Sequence, residues 1–98
     1  MKVFKFGGAS VKDAPSIKNV SAILTRFSGQ KIIVVVSAMG KTTNKLEEIV
    51  AAYLAQDQKT FVGLVDELQA YHLEIAAGLF PDKHFHIFGL LDEIFADL

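Results

Sequence analysis

The 98-residue sequence contains no cysteine, which removes a disulfide framework, a thiol nucleophile and any cysteine-ligated metal site. Long apolar runs are missing too. Lys, Asp, Glu, Gln or His interrupts every hydrophobic stretch before it reaches the ~18 residues of a membrane span. The opening Met1-Lys2-Val3-Phe4-Lys5 returns to charge before an apolar signal-peptide segment forms. A cytoplasmic setting is therefore expected. Repeats, low-complexity tracts and linkers are also lacking, so no domain boundary is expected within residues 1–98. Neither common nucleotide motif occurs: Lys41-Thr42 follows Gly40 as in a Walker A loop, but that motif needs glycine where Val35 stands, and Gly-x-Gly-x-x-Gly is absent.

What remains is a chain that is 51% hydrophobic and 21% charged, too apolar for disorder. A domain this short buries only roughly two-thirds of the surface its unfolded chain exposes. Part of its apolar content is thus expected to seek a partner, through self-association or a homo-oligomer. The formal charge of -1 hides an asymmetry. Residues 1–49 carry eight Lys/Arg against three acids, and residues 50–98 carry two Lys against eight acids. That division fits either two solvated faces of opposite sign or an anion site in the first half.

Val3-Phe4-Lys5-Phe6 is a β-prone run stopped by Gly7-Gly8, and Ile32-Ile33-Val34-Val35-Val36 is a β-branched run stopped by Ser37. Its unbroken apolarity predicts a parallel strand buried on both faces. Between the runs, Ile17, Val20, Ile23, Leu24 and Phe27 recur at helical spacing behind Asp13-Ala14-Pro15 and ahead of Ser28-Gly29. The reading is α/β: a βαβ unit with a right-handed crossover, which sets the carboxyl ends of both strands on one sheet edge.

Beyond it the period becomes helical. Leu46, Ile49, Val50, Tyr53 and Leu54 mark a second helix, with Asn44 and Glu47 spaced as a capping box. Phe61, Leu64, Val65, Leu68, His72 and Ile75 mark a third, ended by Gly78 and Pro81. Asp82 is expected to cap a fourth that carries Phe85, Phe88, Leu91, Ile94, Phe95 and Leu98 to the chain end, apolar on more than one face. Two strands with four helices leave an incomplete parallel sheet, so the chain reads as the opening segment of a larger α/β domain.

Ligands of open parallel sheets bind beyond the carboxyl ends of the strands. Two loops lie there: Gly7-Gly8-Ala9-Ser10, and Ser37-Ala38-Met39-Gly40-Lys41-Thr42-Thr43-Asn44. Glycines after a strand let backbone N–H groups approach an anion, and a following helix N-terminus favours negative charge. Lys5 would add a flexible point charge. Gly-Gly pairs also serve as plain structural turns. His84 and His86, one residue apart, would share one side of a strand but diverge on a helix, a poor metal pair. His72 falls on an apolar stripe, as a hydrogen-bonded core or boundary histidine would. Asp66, Glu67, Asp92 and Glu93 are expected on solvated helix faces. The eight phenylalanines track the helical stripes, which fits core packing better than base stacking and gives no support for nucleic-acid binding.

Lys5-Phe6-Gly7-Gly8-Ala9-Ser10-Val11 resembles the Lys-Phe-Gly-Gly-Thr-Ser-Val opening of the aspartokinases. Val35-Val36-Ser37-Ala38, followed by Thr43-Asn44-Lys45-Leu46, resembles that family's Val-Val-Ser-Ala-x-x-x-x-Thr-Asn-x-Leu segment. The two matches stand in order and at the right separation, and they cover the first half of the chain. The resemblance implies the N-terminal part of a three-layer αβα amino-acid kinase domain. It also implies phosphoryl transfer from Mg-ATP to the side-chain carboxylate of L-aspartate, a step towards lysine, threonine and methionine. Lys5 would neutralise charge on the transferring phosphoryl group, and the backbone of Gly7 and Gly8 would hold phosphate oxygens. Ser10 would support that loop, while Ser37 and Thr43 would help hold aspartate. No residue is assigned as a metal ligand. Ala9 departs from the family's usual Thr and removes a hydroxyl. A catalytic domain of this family is more than twice as long and is usually followed by ACT-type domains, so residues 1–98 are expected to be an inactive fragment. The alternatives are a related kinase acting on glutamate or acetylglutamate, or a non-catalytic α/β interaction module.

Overall fold

A computed structural model describes residues 1–82 and 86–98. The elements run β1 (Lys2–Phe6), a 3-10 turn (Gly8–Val11), α1 (Ala14–Thr25), β2 (Ile32–Val36), α2 (Thr42–Leu54), α3 (Gln58–Leu79) and α4 (His86–Ala96). They form two compact units, Met1–Lys41 and Thr42–Leu98.

In the first unit β1 and β2 pair in parallel, with Lys2 opposite Ile32 and Phe6 opposite Val36, as the βαβ pattern predicts. Asp13 caps α1: its carboxylate accepts the Ser16 N–H at 2.8 Å, and proline stands at the start of the helix where its missing N–H costs nothing. The helix lays Ile17, Val20, Ile23 and Leu24 onto Phe4 and Phe6, the alternate residues of β1 that share one face. Val11 and Met39 complete this small core. At its end the Phe27 ring packs 4.8 Å from Phe4, and the Lys2 ammonium lies 4.6 Å from its centroid.

The prediction that β2 is buried on both faces fails. Ile33, Val34, Val35 and Val36 are all exposed, Val36 to 55%. The helix between the strands packs on the phenylalanines of β1, and nothing comparable among the described residues covers β2. The run therefore records the residue types of a covered strand without the cover.

In the second unit α2 is followed by a left-handed residue, Gln56 (φ 58°). The Asp57 and Gln56 N–H groups return to the Ala52 and Tyr53 carbonyls at 3.0 Å each, satisfying the last turn of the helix. Asp57 then caps α3, accepting the Thr60 hydroxyl at 2.7 Å and its N–H at 3.2 Å. Ile49, Leu68 and Phe95 form the core that joins α2, α3 and α4, flanked by Phe61, Leu64, Val65 and Leu91. His72 sits at its margin as expected, its Nδ1–H donating to the Leu68 carbonyl at 2.9 Å and its ring 5.4 Å from Phe95.

Three further expectations are corrected. The Asn44–Glu47 capping box does not form, because α2 begins at Thr42 and Asn44 already lies inside its first turn. Helix α3 runs through Gly78 to Leu79, and extended Phe80 before Pro81 ends it. The last helix closes at Ala96, with the Asp97 and Leu98 N–H groups turning back to Ile94 and Phe95. The expected positions of His84 and Phe85 lie outside the described residues. Asp66, Glu67, Asp92 and Glu93 are exposed as foreseen.

Candidate functional site

Parallel pairing brings the ends of both strands to one edge. Phe6 and Val36 are the last partners of the ladder, and the Ser37 N–H extends it to the Phe6 carbonyl at 3.0 Å. Lys5, Gly7, Gly8, Ser10 and Ser37 are thus held together on one edge of the first unit. Lys5 is exposed opposite Val35, so its ammonium is solvated and free to swing over the loop. Thr43 is exposed in the first turn of α2, in the second unit.

The two glycines differ in surroundings. Gly7 has ordinary extended backbone (φ -76°, ψ 176°), and a side chain there would meet nothing within 4 Å. At Gly8 an added Cβ would stand 2.5 Å from the Gly40 carbonyl oxygen and 3.2 Å from that of Ala38. The Gly40 N–H in turn donates to the Gly8 carbonyl at 3.0 Å, from a left-handed backbone (φ 56°). Reasoning from the sequence missed this role for Gly40, which it weighed as part of a Walker motif and as a glycine of an anion-facing loop. A glycine ending the second loop was the available signal.

The expected helix dipole behind the first loop is corrected. A 3-10 turn follows Gly7, with the Ser10 N–H bonded to the Gly7 carbonyl at 3.0 Å, and the N-terminus of α1 is occupied by its own Asp13. Hydrogen bonds from the Ser16 hydroxyl and N–H hold the Asp13 carboxyl below its ordinary range. With that N-terminus taken, what the first loop offers an anion is its own amides and Lys5. Ala9, Ser10, Lys12, Ser16 and Asn19 line an open cleft of about 440 Å³ between the turn and α1. A cleft of about 580 Å³ in the second unit is lined by Tyr53, Leu54, Asp57 and Phe61, and by none of the expected site residues. Among the described residues, no three His, Asp or Glu side chains gather as a metal site, and no helix is long and apolar enough to cross a membrane.

In the second unit Lys45 bonds Glu67 at 3.0 Å and approaches Glu48 at 3.5 Å, tying α2 to α3. The Glu67 hydrogen bond raises the Lys45 ammonium above its ordinary value.

Comparisons with known proteins bear on the family and the fold. Aspartokinase 2, chloroplastic, of Arabidopsis thaliana is 50% identical over 44 residues, which is 45% of this chain and 8% of that protein. The aspartokinase of Corynebacterium glutamicum is 44% identical over 52 residues, 51% of this chain and 12% of that protein. The bifunctional aspartokinase/homoserine dehydrogenase 1, chloroplastic, of Zea mays is 30% identical over 96 residues, 98% of this chain and 10% of that protein. The chain therefore spans about a tenth of the curated relatives it matches. The crystal structure of Clostridium acetobutylicum aspartate kinase superposes with a TM-score of 0.70 at 22% identity, over 99% of this chain and 23% of that one, so the fold is shared. The model of the amino acid kinase family matches residues 1–80, from β1 through both glycine-bearing loops to the end of α3. With its βαβ edge, its paired loops and that match, the chain belongs to the amino acid kinase family.

Proposed function

We propose that residues 1–98 are the N-terminal part of one amino-acid kinase domain and form one wall of an aspartate kinase site. In this reading Lys5 and the backbone of Gly7 and Gly8 face the phosphates of ATP, Ser10 braces their loop, and Ser37 and Thr43 face L-aspartate. The observation that carries it is the meeting of the first loop with the second at the carboxyl edge of a parallel pair, Phe6 opposite Val36. The aspartokinase names of the relatives support the substrate.

The chemistry asks little of covalent catalysis. A side-chain carboxylate oxygen of aspartate bonds to the γ-phosphorus, the bond from that phosphorus to the bridging oxygen breaks, and its electron pair leaves with ADP. The nucleophile is already ionised, so no proton need be removed. The demand falls on positioning and on offsetting charge. Loop amides meet that demand because the missing side chain of Gly7 lets an oxygen approach closely, and Lys5 supplies a mobile positive charge. Mg²⁺, when bound with the nucleotide, would offset phosphate charge. Ala9 offers no hydroxyl, so the side-chain hydroxyl of this loop is that of Ser10.

On this reading the 98 residues alone are expected to turn over no substrate, and sustained turnover in a coupled assay with ATP, Mg²⁺ and aspartate would contradict it. The reading carries a cytoplasmic location and, from the exposed valines of β2, self-association that sedimentation would register. The functional test is a chimera of the Corynebacterium glutamicum aspartokinase in which the matched segment is replaced by the corresponding residues of this chain. Hydroxylamine trapping should report ATP-dependent aspartyl phosphate. A folded chimera that forms none, or that accepts glutamate instead, would overturn the reading.

A further inference from the structure

We infer that Gly8 and Gly40 form a backbone latch that fixes the second loop to the first, making Gly40 a positioning residue for the phosphate-facing loop. The inference deepens the proposed function and rests on it for the identity of the ligand.

The argument begins with what each glycine is needed for. Gly7 adopts angles open to any residue and has empty space where a side chain would be, so the fold itself does not require glycine there. Gly8 is the opposite case. Its Cβ would meet two carbonyl oxygens of the second loop, at 2.5 and 3.2 Å, and these belong to backbone that cannot swing aside as a side-chain tip can. The second loop is attached through its backbone and through Met39. The Ser37 N–H bonds the Phe6 carbonyl, the Met39 side chain packs onto the Phe6–Val11–Val20 core, and the Gly40 N–H bonds the Gly8 carbonyl. Gly40 makes this bond from a positive φ, which glycine adopts without steric cost. The two glycines of the first loop therefore divide the work: Gly7 leaves room for a ligand, and Gly8 leaves room for the other loop. A displacement of the phosphate-facing loop passes to Ser37 through these contacts.

The test uses the ¹⁵N,¹³C-labelled 98-residue chain, with Mg-ATP as probe. In the unmodified chain the Gly40 amide should show scalar coupling through its hydrogen bond to the Gly8 carbonyl carbon and slow solvent exchange. In Gly8→Ala that amide should exchange roughly tenfold faster as the latch opens, and resonances 37–41 should move while those of α3 stay in place. Gly7→Ala should leave resonances 37–41 where they were. Added Mg-ATP should shift amides of both loops in the unmodified chain but only the first loop in Gly8→Ala. A Gly40 amide without coupling and without protection overturns the latch, even if Gly8→Ala does not fold. An equal response of residues 37–41 to both substitutions overturns it as well. Mg-ATP that shifts neither loop overturns the ligand reading instead, and the coupling and exchange data still decide the latch.

Discussion

Phe6 and Val36 face each other as the last pair of a parallel ladder, and the next amide, Ser37 N–H, bonds back to the Phe6 carbonyl at 3.0 Å. Both loops therefore leave the sheet at the same level. This is why the glycines after β1 and the serine after β2, thirty positions apart in sequence (Gly7 and Ser37), share one edge. In the proposed reading such an edge serves phosphoryl transfer, because positioning is most of that task.

Lys5→Met removes the point charge and keeps the stem of an exposed residue. Thermal unfolding should be nearly unchanged. Mg-ATP binding should weaken by roughly tenfold or more, the usual scale for losing one contact to a charged group. Calorimetric titration of both proteins checks this, and unaltered affinity would remove Lys5 from the site.

Asp13→Asn tests the cap of α1 through pH. The Ser16 hydroxyl and N–H hold the folded carboxyl below its ordinary value of 3.8. A depressed folded pKa gives stability that is present above the unfolded value and is lost as pH falls from there through the folded value. Asparagine caps as well as aspartate but does not titrate. The variant should match the unmodified chain near neutrality and lose less stability between about pH 4 and pH 2. Asp13→Ala should be weaker at every pH above that window. Urea unfolding across the pH series would register each difference.

Much of this was legible in the sequence, for local reasons. Gly7-Gly8 and Ser37 ended the strands, and Asp13-Ala14-Pro15 opened α1, because caps and strand stops act within a few residues. The start of α2 was misread because the Asn44–Glu47 spacing suits a cap, yet the helix begins two residues earlier, at Thr42. Exposure of Val35 and Val36 was not legible, since an apolar run records what a strand is suited to and not what covers it. Nor was the approach of Gly8 to Gly40, a tertiary contact across thirty-two positions that no local pattern encodes.

Gln56→Gly should stabilise the chain. Gln56 holds φ 58° at the end of α2, where a side chain costs roughly 1–2 kcal/mol that glycine avoids. After the entropy that glycine loses on folding, about 0.5–1 kcal/mol should remain as a higher urea midpoint at constant slope. A lower midpoint would contradict the left-handed turn.

Leu68→Ala and Val35→Thr contrast a covered with an uncovered residue. Leu68, 4% exposed between Ile49 and Phe95, should cost about 2–5 kcal/mol on truncation. Val35, 49% exposed on β2, should change stability by no more than about 0.5 kcal/mol. Equal losses in chemical denaturation would mean that β2 is covered in solution.

The most direct measurement is an amide-resolved titration of the labelled chain with Mg-ATP and then with L-aspartate. Mg-ATP should move the amides of Gly7, Gly8 and Ser10 together with the Lys5 side chain and, through the Gly8–Gly40 contact, those of residues 37–41; aspartate should then move Ser37 further and Thr43 for the first time. Shifts confined to the Tyr53–Phe61 cleft, or no shift with either ligand at millimolar concentration, would contradict a kinase site at the carboxyl edge of β1 and β2.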